Sequence, residues 1–114
     1  MSSNNTVNAV PEIPMLKFPL GFGERDEWEM ERKGFVYAFL EFKDGRKYSV
    51  MFIDPVRLHQ DIQDTLQSGS SYYFERNMVV VRDVTMGGIE NIIPDLIRNG
   101  FLLQRLPEVS DSPQ

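Results

Sequence analysis

The feature that most constrains the fold is a pair of apolar segments, residues 35–42 and 47–53, on either side of Asp44 and Gly45. Both segments are rich in aromatic and β-branched residues, which favour strands. An Asp-Gly pair between two such segments is a strong signal for a β-hairpin with a two-residue type I′ turn. The sequence therefore predicts an antiparallel hairpin here.

This predicted hairpin is apolar on both faces, whereas a half-buried hairpin has one apolar and one polar face. A two-residue turn pairs Phe39 with Val50, and side chains alternate between the faces along each strand. One face then carries the aromatic residues Tyr37, Phe39, Tyr48 and Phe52. Leaving such residues in water forgoes about 1.5–3 kcal/mol per side chain. We therefore expect the aromatic face to be covered by another segment of the chain or to form a dimer interface.

The composition is that of one globular domain, since 41% of the 114 residues are apolar and 25% are charged. Residues 1–14 and 107–114 are polar, so we predict two disordered tails around a single domain at residues 15–106. No secretory signal or membrane-spanning apolar run is present, which predicts a cytoplasmic protein. The absence of cysteine excludes disulfides and thiolate metal sites.

Two segments precede the hairpin. In residues 15–22 apolar side chains alternate, which predicts an extended segment laid over one sheet face. In residues 26–32 acidic side chains alternate with Trp28 and Met30, which favours a first strand, and a short charged helix is the alternative.

Two helices are predicted after the hairpin. The first begins at Asp54 and Pro55, ends near Gly69, and has a narrow apolar stripe of Leu58, Ile62 and Leu66. The second, residues 85–99, has a wider stripe of Ile89, Ile92, Ile93, Leu96 and Ile97. Gly100 and Phe101 after it are typical of a Schellman ending.

Further strands are predicted at residues 70–84, either as one strand or as a hairpin turning at Arg76 and Asn77, and at residues 101–106. The resulting order, β-β-β-α-β-β-α-β, predicts an α+β fold. We expect a two-layer sandwich in which a mainly antiparallel sheet of about five strands has both helices packed on one face.

The charge distribution points to a protein partner. The formal net charge is −5, and residues 24–31 hold five acidic residues and one basic residue. Such a chain repels phosphate groups, so we expect no nucleic-acid or membrane partner. Tryptophan is a frequent anchor at protein interfaces. The sequence thus predicts a partner-binding surface composed of Glu24, Asp26, Glu27, Trp28, Glu29 and Glu31.

No residue pattern indicates catalysis, a cofactor or a metal site. His59 is the only histidine, and position 63, one helical turn later, is Gln rather than a carboxylate or a second ligand. Gly87 and Gly88 precede a helix but lack the Lys and hydroxyl residues of a phosphate-binding loop.

The sequence predicts a small acidic, non-catalytic protein-interaction module that acts as a homodimer or as the acidic partner or inhibitor of a basic protein. The alternative is a small-molecule binding protein or enzyme. Its pocket would lie between the sheet and the turn at the two glycines, and it would use His59, Gly87 and Gly88.

Overall fold

The computed structural model describes residues 12–101 and residue 107. Four strands form one mixed sheet in the order β1-β2-β3-β4: β1 (Met15–Lys17), β2 (Phe35–Glu41), β3 (Lys47–Ile53) and β4 (Met78–Val80). The described residues also form three helices: α1 (Glu24–Lys33), α2 (Pro55–Gln67) and α3 (Met86–Arg98). The predicted α+β class is confirmed, although the strand and helix counts differ from the prediction.

Some predicted segments lie outside the described residues, namely residues 1–11 and 108–114 of the two tails and residues 102–106 of the last strand. The described end of the N-terminal tail contacts the hairpin. The Glu12 carboxylate accepts a hydrogen bond from the Lys43 N–H (2.9 Å), and Pro14 is buried.

The hairpin of β2 and β3 is confirmed, but its turn contains three residues rather than two. The Phe42 N–H donates to the Arg46 carbonyl (2.9 Å), and the Gly45 N–H donates to the Phe42 carbonyl (3.0 Å). Gly45 has a φ of 93°, the left-handed conformation that the last residue of a three-residue hairpin loop adopts. The predicted type I′ turn is therefore wrong.

The longer turn shifts the strand register by one residue. Phe39 pairs with Ser49 and Ala38 pairs with Val50, whereas the prediction paired Phe39 with Val50. A one-residue shift moves every side chain of one strand to the other face relative to its partner. Tyr48 and Phe52 consequently face the core and are buried. The predicted grouping of Tyr37, Phe39, Tyr48 and Phe52 on one face is therefore wrong.

The hydrophobic core lies on one side of the sheet, which we call the core face: Val36, Ala38, Leu40, Val50 and Phe52. Met30 of α1 and Ile89 and Ile93 of α3 pack against it. The N-terminal segment adds the stacked rings of Phe18 and Phe22, whose centroids are 4.1 Å apart. The prediction that residues 15–22 are laid over a sheet face holds only in part, because Met15–Lys17 forms the edge strand β1 and Phe18 and Phe22 pack on the same face as α1 and α3.

The opposite side, which we call the outer face, carries Phe35, Tyr37, Phe39, Ser49 and Met51. At one end α2 packs on this face, because the Arg57 guanidinium lies 4.5 Å from the centroid of the Phe35 ring. Arg57 also donates to the Lys33 carbonyl (3.0 Å) and to Asp61 (2.8 Å). No apolar side chain of α2 belongs to the core cluster. The prediction that both helices pack on one face is therefore wrong.

The pairing of β4 explains this arrangement. β4 is parallel to β3, and two adjacent parallel strands need a connection that crosses a face of the sheet. The crossover consists of α2 and residues 68–77, and it crosses the outer face. In the predicted strand region, residues 70–84, only Met78–Val80 is a strand. The predicted hairpin at Arg76 and Asn77 is wrong, because Asn77 instead leads into the parallel strand with a φ of 51°.

Local capping signals account for the helix ends. Asp54 accepts a hydrogen bond from the Arg57 N–H (2.7 Å) at the start of α2, as predicted. The predicted Schellman ending of α3 is confirmed, since the Phe101 N–H donates to the Leu96 carbonyl (3.0 Å). Gly100 has the required left-handed conformation, with a φ of 82°.

Gly34 joins α1, β2 and α2. It ends α1 with a φ of 81°, and its carbonyl accepts a hydrogen bond from the Asp54 N–H (2.9 Å). A Cβ atom at this position would lie 2.9 Å from the Arg57 Cβ and 2.9 Å from an Asp54 carboxylate oxygen. The junction therefore requires glycine for both its backbone conformation and its lack of a side chain.

Candidate protein-binding surfaces

The acidic segment forms helix α1 rather than the predicted strand, so the alternative interpretation was the right one. The Asp26 carboxylate accepts a hydrogen bond from the Gly23 N–H (3.0 Å), and three acidic residues occupy the first turn. Arg32 and Lys33 occupy the last turn, and Gly34 ends the helix. Acidic residues at the start and basic residues at the end of a helix interact favourably with its dipole and stabilise it. These capping and charge signals outweigh the alternation of acidic and apolar residues that favoured a strand.

The helical geometry divides the predicted acidic surface into two parts. Residues at spacings of 3, 4 and 7 share one side of a helix. The first part, which we call the acidic face of α1, consists of Glu24, Glu27, Trp28 and Glu31. The side chains of Asp26 and Glu29 instead line a smaller groove of about 180 Å³ with Met30 and Phe35.

The acidic face of α1 forms one wall of an open cleft of about 370 Å³, and Thr85 and Met86 at the start of α3 form the other wall. Trp28 lies at the centre of this face and is 59% exposed. The Arg32 guanidinium lies 4.9 Å from the centroid of its ring. The cleft thus combines an exposed aromatic ring that already contacts a cation with three carboxylates.

The start of α3 is shaped by its glycines. The Thr85 hydroxyl caps α3 by accepting a hydrogen bond from the Gly88 N–H (3.0 Å). A Cβ atom at Gly88 would lie 2.8 Å from the Asp83 carbonyl oxygen, whereas a Cβ atom at Gly87 would have no neighbour within 4 Å. The close approach of the backbone therefore explains Gly88 without a ligand.

The outer face carries a second exposed surface. A groove of about 200 Å³ lies between the strands and the crossover, and its lining includes Tyr37, Phe39, Met51, Glu75 and Arg76. The Tyr37 hydroxyl donates a hydrogen bond to the Glu75 carboxylate (3.1 Å). This bond holds the crossover against β2. We call the groove between the strands and the crossover the outer groove.

Three exposed aromatic side chains belong to β2 and to the crossover just before Glu75, and we call them the aromatic patch: Tyr37, Tyr72 and Phe74. They are 53%, 71% and 70% exposed, respectively. Tyr73, which lies between the last two in sequence, is half-buried. This alternation shows that the crossover turns Tyr73 towards the protein and Tyr72 and Phe74 towards solvent.

The phenols near the outer groove have perturbed acidities. Desolvation by burial raises the pKa of Tyr37 above its usual value, and the hydrogen bond to Glu75 raises it further. Desolvation also raises the pKa of Tyr73, with the negative charges of Asp61 and Glu75 adding to the effect. Both phenols are therefore neutral at physiological pH, and the Tyr37 hydroxyl can donate a hydrogen bond to Glu75.

The structure places His59 on the exposed surface of α2. Gly87 and Gly88 lie in the first turn of α3, and neither glycine nor His59 lines the clefts and grooves described above. Within residues 12–101 and 107, no group of three or more His, Asp or Glu side chains could hold a metal ion. In the same residues, no helix is long and apolar enough to cross a membrane.

Sequence reasoning missed two features of these surfaces. It did not place Thr85 and Met86 beside α1, because this contact is formed only by the tertiary fold. It also assigned Tyr72 and Phe74 to a strand, whereas they lie in the crossover and are exposed. The polar residues on both sides of the aromatic run, Ser70, Ser71, Glu75, Arg76 and Asn77, are a signal for a loop that could have identified this segment as exposed.

Comparisons with known proteins give no assignment for these surfaces: no family model matches the chain, and neither a curated protein nor a solved structure matches it significantly.

Proposed function

We propose that this protein is a non-catalytic interaction module that binds a basic protein through the acidic face of α1. The observation that carries the proposal is the position of Trp28, which is 59% exposed at the centre of three carboxylates and beside a cleft. Tryptophan is strongly enriched among the residues that dominate binding energy at protein interfaces.

The contacts of Trp28 support a basic partner. Its ring lies 4.9 Å from the Arg32 guanidinium, so its geometry already accommodates a cation. An Arg or Lys side chain of a partner could contact the same ring and pair with Glu27 or Glu31. Electrostatic attraction of this kind increases the association rate and discriminates against acidic partners.

The way α1 is held in the fold also supports this role. Met30 is its only buried residue, so the rest of its side chains contribute little to the core. Glu24, Glu27, Trp28 and Glu31 can therefore be conserved or changed for binding without loss of the fold, which is the usual property of a binding surface on a rigid scaffold.

The test is affinity capture from an extract of the native cell, followed by calorimetric titration of the purified captured protein. We expect the captured protein to be basic. The Kd of its complex with this chain should rise at least about 10-fold for Trp28→Ala, because truncation of a central aromatic residue at an interface costs about 2 kcal/mol or more. We expect a comparable loss for Glu27→Lys, and weaker binding at higher salt concentrations.

Two variants are matched controls. Leu20→Ala removes another exposed apolar side chain, and Asp64→Lys makes the same change of charge on the exposed surface of α2. Neither should change the Kd. If the captured protein binds the Trp28 and Glu27 variants as tightly as it binds the wild type, the acidic face of α1 is not the binding site.

A further inference from the structure

The outer face is incompletely covered by the chain itself. At one end α2 contacts it through Arg57 and Phe35, and in the middle the crossover contacts it through Glu75 and Tyr37. Between these contacts the outer groove remains open. Tyr37 of the aromatic patch lines it, and the exposed Tyr72 and Phe74 shortly precede its lining residue Glu75 in the crossover. An exposed apolar surface of this kind marks an interaction site more often than an isolated exposed residue does.

The apolar area fits one half of a protein interface. An aromatic side chain offers about 150–250 Å². With exposures of 53–71%, Tyr37, Tyr72 and Phe74 together present roughly 300–500 Å² to solvent. A standard interface buries about 800 Å² on each partner, of which about 57% is apolar, or roughly 450 Å². The aromatic patch therefore supplies the apolar area that such an interface needs.

The local charge favours a second copy of the chain as the molecule that covers the outer groove. The chain has a net charge of −5, so two copies repel each other wherever their acidic surfaces meet. The outer groove differs, because Glu75 and Arg76 lie side by side on its wall and the Lys47 ammonium lies 4.8 Å from the centroid of the Phe39 ring. Two copies can therefore approach here without the repulsion that the acidic face of α1 would cause.

Adjacent opposite charges are self-complementary under two-fold symmetry. In such an interface residue i contacts residue j of the other copy, and residue j contacts residue i. Glu75 of one copy can then pair with Arg76 of the second, and the reverse pair forms at the same time. Arg76 is exposed and available for this contact.

We propose that the aromatic patch and the outer groove form the two-fold interface of a homodimer, in which Glu75 pairs with Arg76 of the second copy. This inference goes beyond the proposed function, because it concerns the opposite side of the sheet from the core that α1 covers. The dimer would present two acidic faces of α1, so that one assembly could bind two basic sites.

The test is sedimentation of the full-length chain and of two charge variants. We expect the wild type to sediment with twice the mass of one chain at micromolar concentrations. Glu75→Arg and Arg76→Glu should each sediment as monomers, because each places like charges opposite one another across the two-fold axis. An equimolar mixture of these two variants should sediment as a dimer, since the opposite charges then meet again.

Phe74→Ala tests the apolar part of the interface. It leaves the hydrogen bond between Tyr37 and Glu75 in place, whereas Glu75→Arg also removes that bond. We expect Phe74→Ala to weaken the dimer at least about 10-fold, as expected for an aromatic anchor. Leu20→Ala, which also truncates an exposed apolar side chain, should leave the dimer unchanged. Circular dichroism establishes that each variant is folded.

Three results would overturn the proposal: a monomeric wild type, a dimer that tolerates both Arg76→Glu and Phe74→Ala, or a mixture of the two charge variants that stays monomeric. A monomer that binds an extended peptide in the outer groove would assign this face to another partner. Trp28→Ala should remain dimeric even where it no longer binds the basic protein, so the two proposals can fail independently.

Discussion

The two faces of the sheet are built from the same two strands but are held in different ways. The core face is covered by α1, α3 and the rings of Phe18 and Phe22, and its contacts are apolar. The outer face buries Met51 and Ile53 of β3, and the chain that crosses it is held by polar and cation–π contacts: Arg57 with Phe35, and Tyr37 with Glu75. The core face therefore provides most of the stability, and the outer face retains exposed aromatic side chains that can bind another molecule.

The difference between the two faces follows from the pairing register of β2 and β3, which is shifted by one residue relative to a two-residue turn. With the three-residue turn, Val50 and Phe52 join the aliphatic side chains of β2, whereas Tyr37 and Phe39 are left beside Ser49 and Met51. The core face thus gains Tyr48, Val50 and Phe52 of β3, whereas Met51 and Ile53 lie on the outer face with the aromatic side chains of β2.

Phe52 and Phe39 test this comparison most directly, because they are the same residue type on opposite faces. Phe52 is fully buried, so Phe52→Ala should lower the free energy of unfolding by about 3–5 kcal/mol. Phe39 is half-buried, and Phe39→Ala should cost clearly less. Urea denaturation at low protein concentration, where self-association does not contribute, measures both values. Equal losses would show that the two faces contribute equally to stability.

The helices on the two faces should differ in the same sense. Ile93 of α3 is buried in the core, and Ile93→Ala should cost about 2–5 kcal/mol through lost transfer energy and a cavity. Ile62 of α2 is half-buried outside the core cluster, so Ile62→Ala should cost less. His59→Ala, at an exposed position of α2, should change the unfolding free energy least of the three. A larger loss for either α2 variant than for Ile93→Ala would contradict this ranking.

Arg57 should be the main polar contact of the outer face. Arg57→Ala removes the stacking on Phe35, the bond to the Lys33 carbonyl and the pair with Asp61. We expect a loss of about 1–2 kcal/mol, because hydrogen bonds and cation–π contacts contribute about 1 kcal/mol each and these are partly exposed. Arg57→Lys should restore little, since Lys lacks the planar guanidinium. Arg25→Ala, at a highly exposed arginine of α1, is the control for loss of charge and should have almost no effect.

The smallest expected effect is a pH dependence of the outer face. Because the pKa values of Tyr37 and Tyr73 are raised in the folded protein, the native state holds these protons more tightly than the unfolded chain does. Stability from this source is complete below pH values of about 10 and is lost as the pH rises further. Tyr37→Phe should make the decline less steep. Denaturant unfolding across this alkaline range measures the effect, and an unchanged slope would show that Tyr37 does not contribute.

Local signals in the sequence predicted the parts of the fold that depend on short-range physics. The cap at Asp54, the Schellman ending at Gly100 and the hairpin around Gly45 each depend on a few neighbouring residues, and each is present. The apolar stripe of the last helix also predicted its burial, because Ile89 and Ile93 lie in the core.

The remaining errors arose where competing patterns were close in energy or where tertiary contacts decided the outcome. Alternating residues in α1 favoured a strand, but the capping contact of Asp26 and the end at Gly34 favour a helix. Asp44 and Gly45 fit turns of two or three residues, and this one-residue difference determined which aromatic side chains are exposed. The contact of Thr85 with the cleft beside Trp28 has no local signal, so the candidate site could be predicted only in part.

Gly34 has a consequence for how this sequence can evolve. The residue is buried, but it touches neither proposed binding surface and has no side chain that packs in the core. Yet it closes α1, anchors the start of α2 through its carbonyl, and leaves room for Arg57. Sequences that diverge from this one can change almost any residue of the acidic face of α1 or of the aromatic patch and acquire a different partner. They must keep glycine at position 34, because a side chain there would separate the two helices that lie on opposite faces of the sheet.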